Sequence, residues 1–204
     1  TDNPKELSLA YINSGKAATS LKKHKEAIVS FEKAITVYNQ NNIKLGTAYG
    51  NLLIGRSYIK LNKNKKAIPY LKSAYTVNNT SNSYLNAAYA AHDLVEVYGD
   101  RKDIDNTTKW FNSSIKSYEK ARNSKQITKV TFLYGAYLAD YGDYKNAKIQ
   151  LEEALKQATK DKRLTAEIKQ VLATIEHNRD VEKESISNHQ ISQQIETEEY
   201  IESI

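Results

Sequence analysis

The chain has no cysteine, no methionine, two prolines, seven glycines and a single tryptophan. Without cysteine there is no disulfide, no thiol nucleophile and no cysteine-ligated metal site. The compartment stays open between bacterial cytoplasm and periplasm, because a helical domain of 204 residues needs no covalent staple. The four histidines (His24, His92, His177, His189) are scattered and form no HExxH arrangement, so neither metal nor cofactor is expected. No apolar run approaches the roughly 18–20 residues that span a bilayer, and no membrane contact is expected within the chain. Phosphate-binding GxxxxGK and nucleophile-elbow GxSxG patterns are both missing. No signal-peptide pattern opens at Thr1, and a chain without Met reads as a processed or excised piece of a longer protein.

Acidic and basic residues are present in quantity but unevenly placed. Residues 1–80 carry 13 Lys and Arg against 4 Asp and Glu, a net of +9, whereas residues 161–204 carry 5 against 10, a net of −5. Most of the lysines lie in turn-like stretches such as LKKHK and LNKNKK, which read as solvated edges. They lack the interleaved aromatics of a nucleic-acid face, so no nucleic acid is expected as partner. Asp103/Asp105 and Glu152/Glu153 read as helix-start or outer-face carboxylates. His92 and Glu96 are an i, i+4 pair of the kind found on helix surfaces. No enzymatic activity is expected.

A shift of forty residues aligns four blocks without a gap. One column reads Ala27, Ala67, Thr107, Ala147; the next, four residues on, Phe31, Leu71, Phe111, Leu151; the next, Ala34, Ala74, Ser114, Ala154. Upstream stand Gly15, Gly55, Val95 and Gly135. Within each block apolar or small residues recur at spacings of three and four, so each block is two amphipathic helices joined by a short turn. The small columns let two helix backbones approach and the large ones fill the space between. Thr107 and Ser114, replacing alanines, imply looser packing in the third block. Pro69 falls near a helix start and is assigned no role.

The stretches IGRSYIKLNKNKKAIPYLKSA (54–74) and YGAYLADYGDYKNAKIQLEEA (134–154) resemble the tetratricopeptide repeat, with small-then-Tyr in the first helix and Ala, a large residue, then Ala in the second. The resemblance covers about residues 5–160. It implies an all-α fold, a right-handed α-solenoid of stacked antiparallel helix pairs, with repeats about 5–42, 43–82, 83–122 and 123–162 and a closing helix over 163–180. Residues 181–204, with Ile191 and Ile195 in the second-helix columns, are either a degenerate final helix or an acidic tail.

The same resemblance implies a concave groove lined by the first helix of each pair, which takes a peptide or protein segment. Its groove positions map to Lys16 in the first repeat, Tyr49, Leu52 and Arg56 in the second, Tyr89, His92 and Glu96 in the third, and Lys129 and Phe132 in the fourth; Leu9, Ile12 and Ala136 share those columns. Tyr49, Tyr89 and Phe132 are open to a second reading as inter-helix packing. The carboxylate clamp of chaperone-binding relatives is not expected, because its columns read Ile12, Lys16, Leu53, Tyr89 and Asp93. The segment from 41 to 74 is also similar to repeats in input domains of bacterial sensor histidine kinases and related signalling proteins. Two functions follow: a protein-binding sensory or regulatory module of a larger signalling protein, or a stand-alone scaffold that assembles a complex or self-associates.

Overall fold

The computed structural model describes residues 3–181. Over that range the chain is helical with short turns: α1 (Pro4–Ser20), α2 (His24–Gln40), α3 (Lys44–Lys60), α4 (Asn64–Thr80), α5 (Tyr84–Gly99), α6 (Ile104–Lys120), α7 (Ser124–Asp140) and α8 (Tyr144–Gln157). A ninth helix, α9, occupies 162–181. Neighbours in sequence pack against each other all along the chain, which makes an α-solenoid of antiparallel helix pairs. The isoleucines expected to continue the pattern after residue 181 lie outside the described residues.

The turns reveal a period half as long as the one the sequence displays. Lys22, Asn42, Asn62, Asn82, Lys102, Arg122 and Gly142 all have positive φ, one every twenty residues. At each, the amide one residue later bonds back five residues, as in Lys23 N–H to Ala18 O at 2.8 Å and Asp143 N–H to Leu138 O at 2.9 Å. This is the Schellman closure, in which a left-handed residue turns the chain and satisfies the last carbonyls. Six of the seven left-handed positions carry a side chain, and only Gly142 is glycine. Asn tolerates this conformation through its short polar side chain; Lys and Arg occupy it at a cost.

Helix starts are uneven. Asp103 and Asp143 cap α6 and α8 by accepting from the amides of Asn106 and Asn146. Lys23 and Lys63 hold the equivalent places before α2 and α4 and provide no side-chain cap. Pro69 lies at the sixth position of α4, beyond the first turn, so it removes one intrahelical bond.

Gly15 abuts Phe31, and an added Cβ at Gly55 would stand 2.6 Å from Leu71 Cδ2 and at Gly135 2.9 Å from Leu151 Cγ. Thus the large column of each second helix sits on the glycine of its own first helix. In the third pair Val95 fills the glycine place and is fully buried, and Phe111 stacks on Tyr134 of α7 with ring centroids 4.2 Å apart. Within the third pair α5 and α6 are closely packed, whereas α6 meets α7 over a smaller contact than α2 makes with α3 or α4 with α5. Thr107 and Ser114 are fully buried, and their hydroxyls donate to Asp103 O at 2.7 Å and Phe111 O at 2.9 Å. Small polar side chains pack as tightly as alanine once they bond their own helix.

First and second helices differ in how they are covered. On α6 the buried residues, Thr107, Trp110, Phe111, Ser114, Ser117 and Tyr118, recur every three or four and leave the opposite side to water. On α5 ten of sixteen residues are buried, with Ala87, Ala88, Ala90 and Ala91 almost continuous. The first helices are therefore packed from several sides. Moreover α3 touches α5, and α5 touches α7, while successive second helices scarcely meet among the described residues. The first helices, closer together, form the inner face of the curve.

Candidate functional site

Residues three and four apart share a helix face, so the inner face can be read off each first helix. On α1 it is Leu9, Lys16 and Ser20; on α3, Leu45, Tyr49, Arg56 and Lys60; on α5, Leu85, Tyr89 and Glu96, with Asp100 as the C-cap just beyond. At the end of α1 and α3 this face opens into a cleft of about 590 Å³, lined among others by Lys16, Leu53, Arg56, Lys60, Asp93 and Glu96. Phe31 and Ile59 form part of its apolar floor.

The centre of the cleft is an ion pair between adjacent inner helices. Arg56 Nε donates to Asp93 Oδ2 at 2.6 Å, and Nη2 lies 3.4 Å from Oδ1. The Arg56 side chain is 41% exposed and that of Asp93 12%, so the carboxylate is sealed beneath while the guanidinium keeps one side on the cleft. Burial pushes the Asp93 carboxyl above the usual range, against the pull of Arg56. Burial also works against the Arg56 charge, but Asp93 outweighs it and holds that pKa up. The guanidinium rests over the Tyr89 ring, 5.2 Å from its centroid, while Lys16 Nζ lies 5.3 Å from that of Tyr49. Glu96, one turn after Asp93, is raised by burial and by Asp93, with Lys60 drawing it back.

Behind the pair lies His92, whose Nδ1 is 3.1 Å from the hydroxyl of the fully buried Tyr118. Burial, with Arg56 and Lys129 nearby, lowers the His92 pKa to about 4, so the ring is neutral at pH 7. Burial likewise raises the Tyr118 phenol, with Asp93 adding to the effect. Further along, the Tyr137 hydroxyl reaches Asp100 Oδ1 at 2.7 Å and Glu96 O at 3.2 Å, and Tyr141 donates to Gly99 O at 3.1 Å. These tyrosines tie α7 and its C-cap to the carbonyl end of α5, adding to the backbone bonds from Asp100 and Lys102 that Glu96 O and Gly99 O already accept.

The nine sequence-derived positions divide accordingly. Lys16, Arg56 and Glu96 line the cleft; Tyr49 and Tyr89 lie beneath its cations; His92 supports it from behind. Leu52 is 1% exposed and belongs to the core, since it sits about 60° round α3 from Tyr49, toward α4 and α5. Lys129 lines a different cleft, between the start of α7 and the turn before α9. Phe132 is half-buried against the core. Positions the sequence reading passed over are Leu45, Lys60 and Leu85, each one turn from a chosen residue, and Tyr118, which only tertiary packing brings to His92. Among the described residues no cluster of three metal-ligating side chains occurs, and no helix is long and apolar enough to cross a membrane.

The tetratricopeptide repeat family model matches residues 9–41 and 48–81. No curated protein matches the chain significantly. Among solved structures, aspartyl phosphate phosphatase F from Bacillus subtilis superposes with a TM-score of 0.79 at 12% identity, over 91% of this chain and 49% of that one. The chain therefore spans about half that protein's length. A putative kinesin light chain with tetratricopeptide-like repeats from Podosopora anserina gives 0.72 at 12% identity, covering 92% of this chain and 93% of its own. The apo form of RapI gives 0.70 at 15%, covering 89% and 74%. At these identities the likeness speaks for the fold. Residues 9–41 and 48–81 thus resemble tetratricopeptide repeats, and the two further helix pairs continue the same register in a shared α-solenoid fold.

Proposed function

We propose that this chain is a non-catalytic interaction module that holds a peptide or protein segment on its inner face, as a sensory or regulatory part of a larger bacterial signalling protein. The cleft at α1, α3 and α5 carries this reading. It combines an apolar floor with exposed charges and an ion pair whose carboxylate is sealed beneath, the mix of shape and polar anchors that ligand sites use. The regulatory placement is supported by the shared fold with a Bacillus subtilis protein named for acting on aspartyl phosphate, about half of which this chain matches.

The test is a pull-down from lysate of the source cell, comparing wild type with Lys16→Glu/Leu45→Glu/Leu85→Glu after circular dichroism shows both folded. All three side chains are exposed, so the variant alters the face and leaves the core intact. A partner lost only in the variant is the expected result. One retained equally would move binding off the inner face. The scaffold reading draws on the opposed charge of residues 1–80 and 161–204. It requires an apparent mass that rises with concentration and falls with salt, since exposed charges are screened within about 8–10 Å at 0.1–0.15 M.

A further inference from the structure

The twenty-residue rhythm of the turns breaks between α8 and α9. Lys162 would be the next left-handed residue, but it is helical and opens α9. The helix before it, α8, has 14 residues where α2, α4 and α6 have 17, and it ends with Ala158 as its C-cap. In the forty-residue alignment Ala158 shares a column with Tyr38, Asn78 and Tyr118. Those side chains fill space between helices: the Tyr38 ring lies against Gly46 at the start of α3, and Asn78 and Tyr118 are fully buried. With a methyl group in that place and the helix three residues shorter, a cleft of about 850 Å³ opens between the start of α7 and the turn into α9. It shares no lining residue with the cleft at α1, α3 and α5.

The walls of this cleft differ in kind. Ala158 and Leu164, both buried, and the half-buried Ile127 give it an apolar side. Thr128 Oγ1 donates to Gln157 Oε1 at 3.0 Å and fixes α7 against the end of α8. Around this hollow stand Lys125, Lys129, Lys160 and Lys162, and among the described residues none of the four forms an ion pair. Nearby cations do: Lys148 meets Glu152 and Glu176, Lys156 meets Glu153, and Arg163 meets Glu167. Asp161 also lines the cleft, but its carboxylate accepts from the Leu164 amide at 3.1 Å and caps α9. Asn123 likewise caps α7, so both helix starts are satisfied and the positive charge comes from side chains. Four ammonium groups that repel one another without a counter-charge make a place that an anion relieves. We infer that this cleft binds a small aromatic phosphate, its ring on Ala158 and Leu164 where earlier repeats place their own tyrosine, and its phosphate among the four lysines. A phosphate monoester carries about −1.5 to −2 at pH 7, which matches several lysines better than a single carboxylate does. The volume falls within the roughly 300–1,000 Å³ of small-ligand pockets. Such a ring and phosphate occur free, as in a mononucleotide, or on a protein, as phosphotyrosine, and the choice of probes separates the two.

The full chain is titrated by isothermal calorimetry, at constant ionic strength, with AMP, adenosine, inorganic phosphate and phosphotyrosine amide. AMP or phosphotyrosine amide should bind at least about tenfold tighter than adenosine or phosphate, and the tighter of the two names the source. Lys125→Ala/Lys160→Ala should weaken that ligand about tenfold, the size expected of two exposed charge pairs. Lys22→Ala/Lys25→Ala, exposed lysines at the turn between α1 and α2, should leave it unchanged. Ala158→Tyr, which returns to this column the aromatic of Tyr38 and Tyr118, should remove binding with the circular dichroism spectrum kept; if that variant does not fold, the lysine pair still decides. Inorganic phosphate binding as tightly as either ring compound would overturn the part given to the ring. Adenosine binding as tightly would overturn the part given to the lysines. Binding of none of the four, or binding indifferent to Lys125→Ala/Lys160→Ala, would overturn the site.

Discussion

Acidification should destabilise the centre of the solenoid through His92. The ring is buried against Tyr118, with Arg56 and Lys129 opposing a further positive charge, and its pKa falls from 6.5 to about 4. A group lowered on folding binds fewer protons folded than unfolded, so its contribution is complete above about pH 6.5 and is lost as pH falls toward 4. Between pH 7 and pH 5 the linkage amounts to about 2 kcal/mol. With a urea m-value of about 2 kcal/mol/M, the midpoint should move down by about 1 M. Asp93 and Glu96 act in the opposite sense, because their raised carboxyls take up protons more readily when folded. They are common to wild type and to His92→Gln, whose side chain does not titrate, and cancel in the difference. Trp110, the single tryptophan, is buried on α6 in the same helix pair and reports local unfolding by fluorescence. Wild type should lose about 1 M more than His92→Gln between the two pH values. Parallel losses would show that His92 is solvated and the buried-ring argument mistaken.

Three further predictions concern the scaffold. Gly55→Ala places a Cβ 2.6 Å from Leu71 Cδ2 and should lower stability by about 1–2 kcal/mol, overpacking exceeding the gain in helix propensity, as read by urea denaturation. Lys63→Asp would put a capping carboxylate where Asp103 and Asp143 stand in later repeats, and should raise stability by about 1 kcal/mol; an unchanged midpoint would deny that α4 lacks a cap. Lys22→Gly, at φ 59°, should gain about 0.5–1 kcal/mol, and Gly142→Ala, at φ 85° with no atom within 4 Å, should lose about 1 kcal/mol from the backbone alone. Thermal melts that place both changes on the same side of wild type would refute the left-handed assignment.

The helix-pair solenoid was legible because its packing rule is written in side-chain size: Gly15 opposite Phe31, Gly55 opposite Leu71, Gly135 opposite Leu151. The twenty-residue rhythm was not legible, because the left-handed turn positions hold Lys, Asn, Arg and Gly in turn and share a conformation rather than a residue type. Thr107 and Ser114 misled for a related reason: a hydroxyl looks polar in sequence, but on a helix it can bond a backbone carbonyl and be buried. At the cleft, spacing grouped Lys16, Arg56 and Glu96, which line it, but could not give the depth of each position. Leu52 and Tyr49 differ by one turn in sequence, yet one is core and the other lies under a lysine. Arg56 and Asp93, thirty-seven residues apart, and His92 and Tyr118, twenty-six apart, meet only across helices, which no local pattern encodes. That pairing also changes how the groove should be probed: Arg56→Glu with Tyr89→Ala would leave the sealed Asp93 facing a second carboxylate, whereas Lys16, Leu45 and Leu85 can be changed without touching the core.

The central claim is that partners bind the inner face, and site-specific photocross-linking tests it directly. A photoreactive side chain is placed at Leu45 or Leu85 on the inner face, or at Val29 or Ile149 on the outer helices, all four exposed. After irradiation in lysate of the source cell, the account predicts the same cross-linked species from both inner positions and none from the outer pair. Cross-linking from Val29 and Ile149, with Leu45 and Leu85 silent, would contradict it and place the binding surface on the convex side.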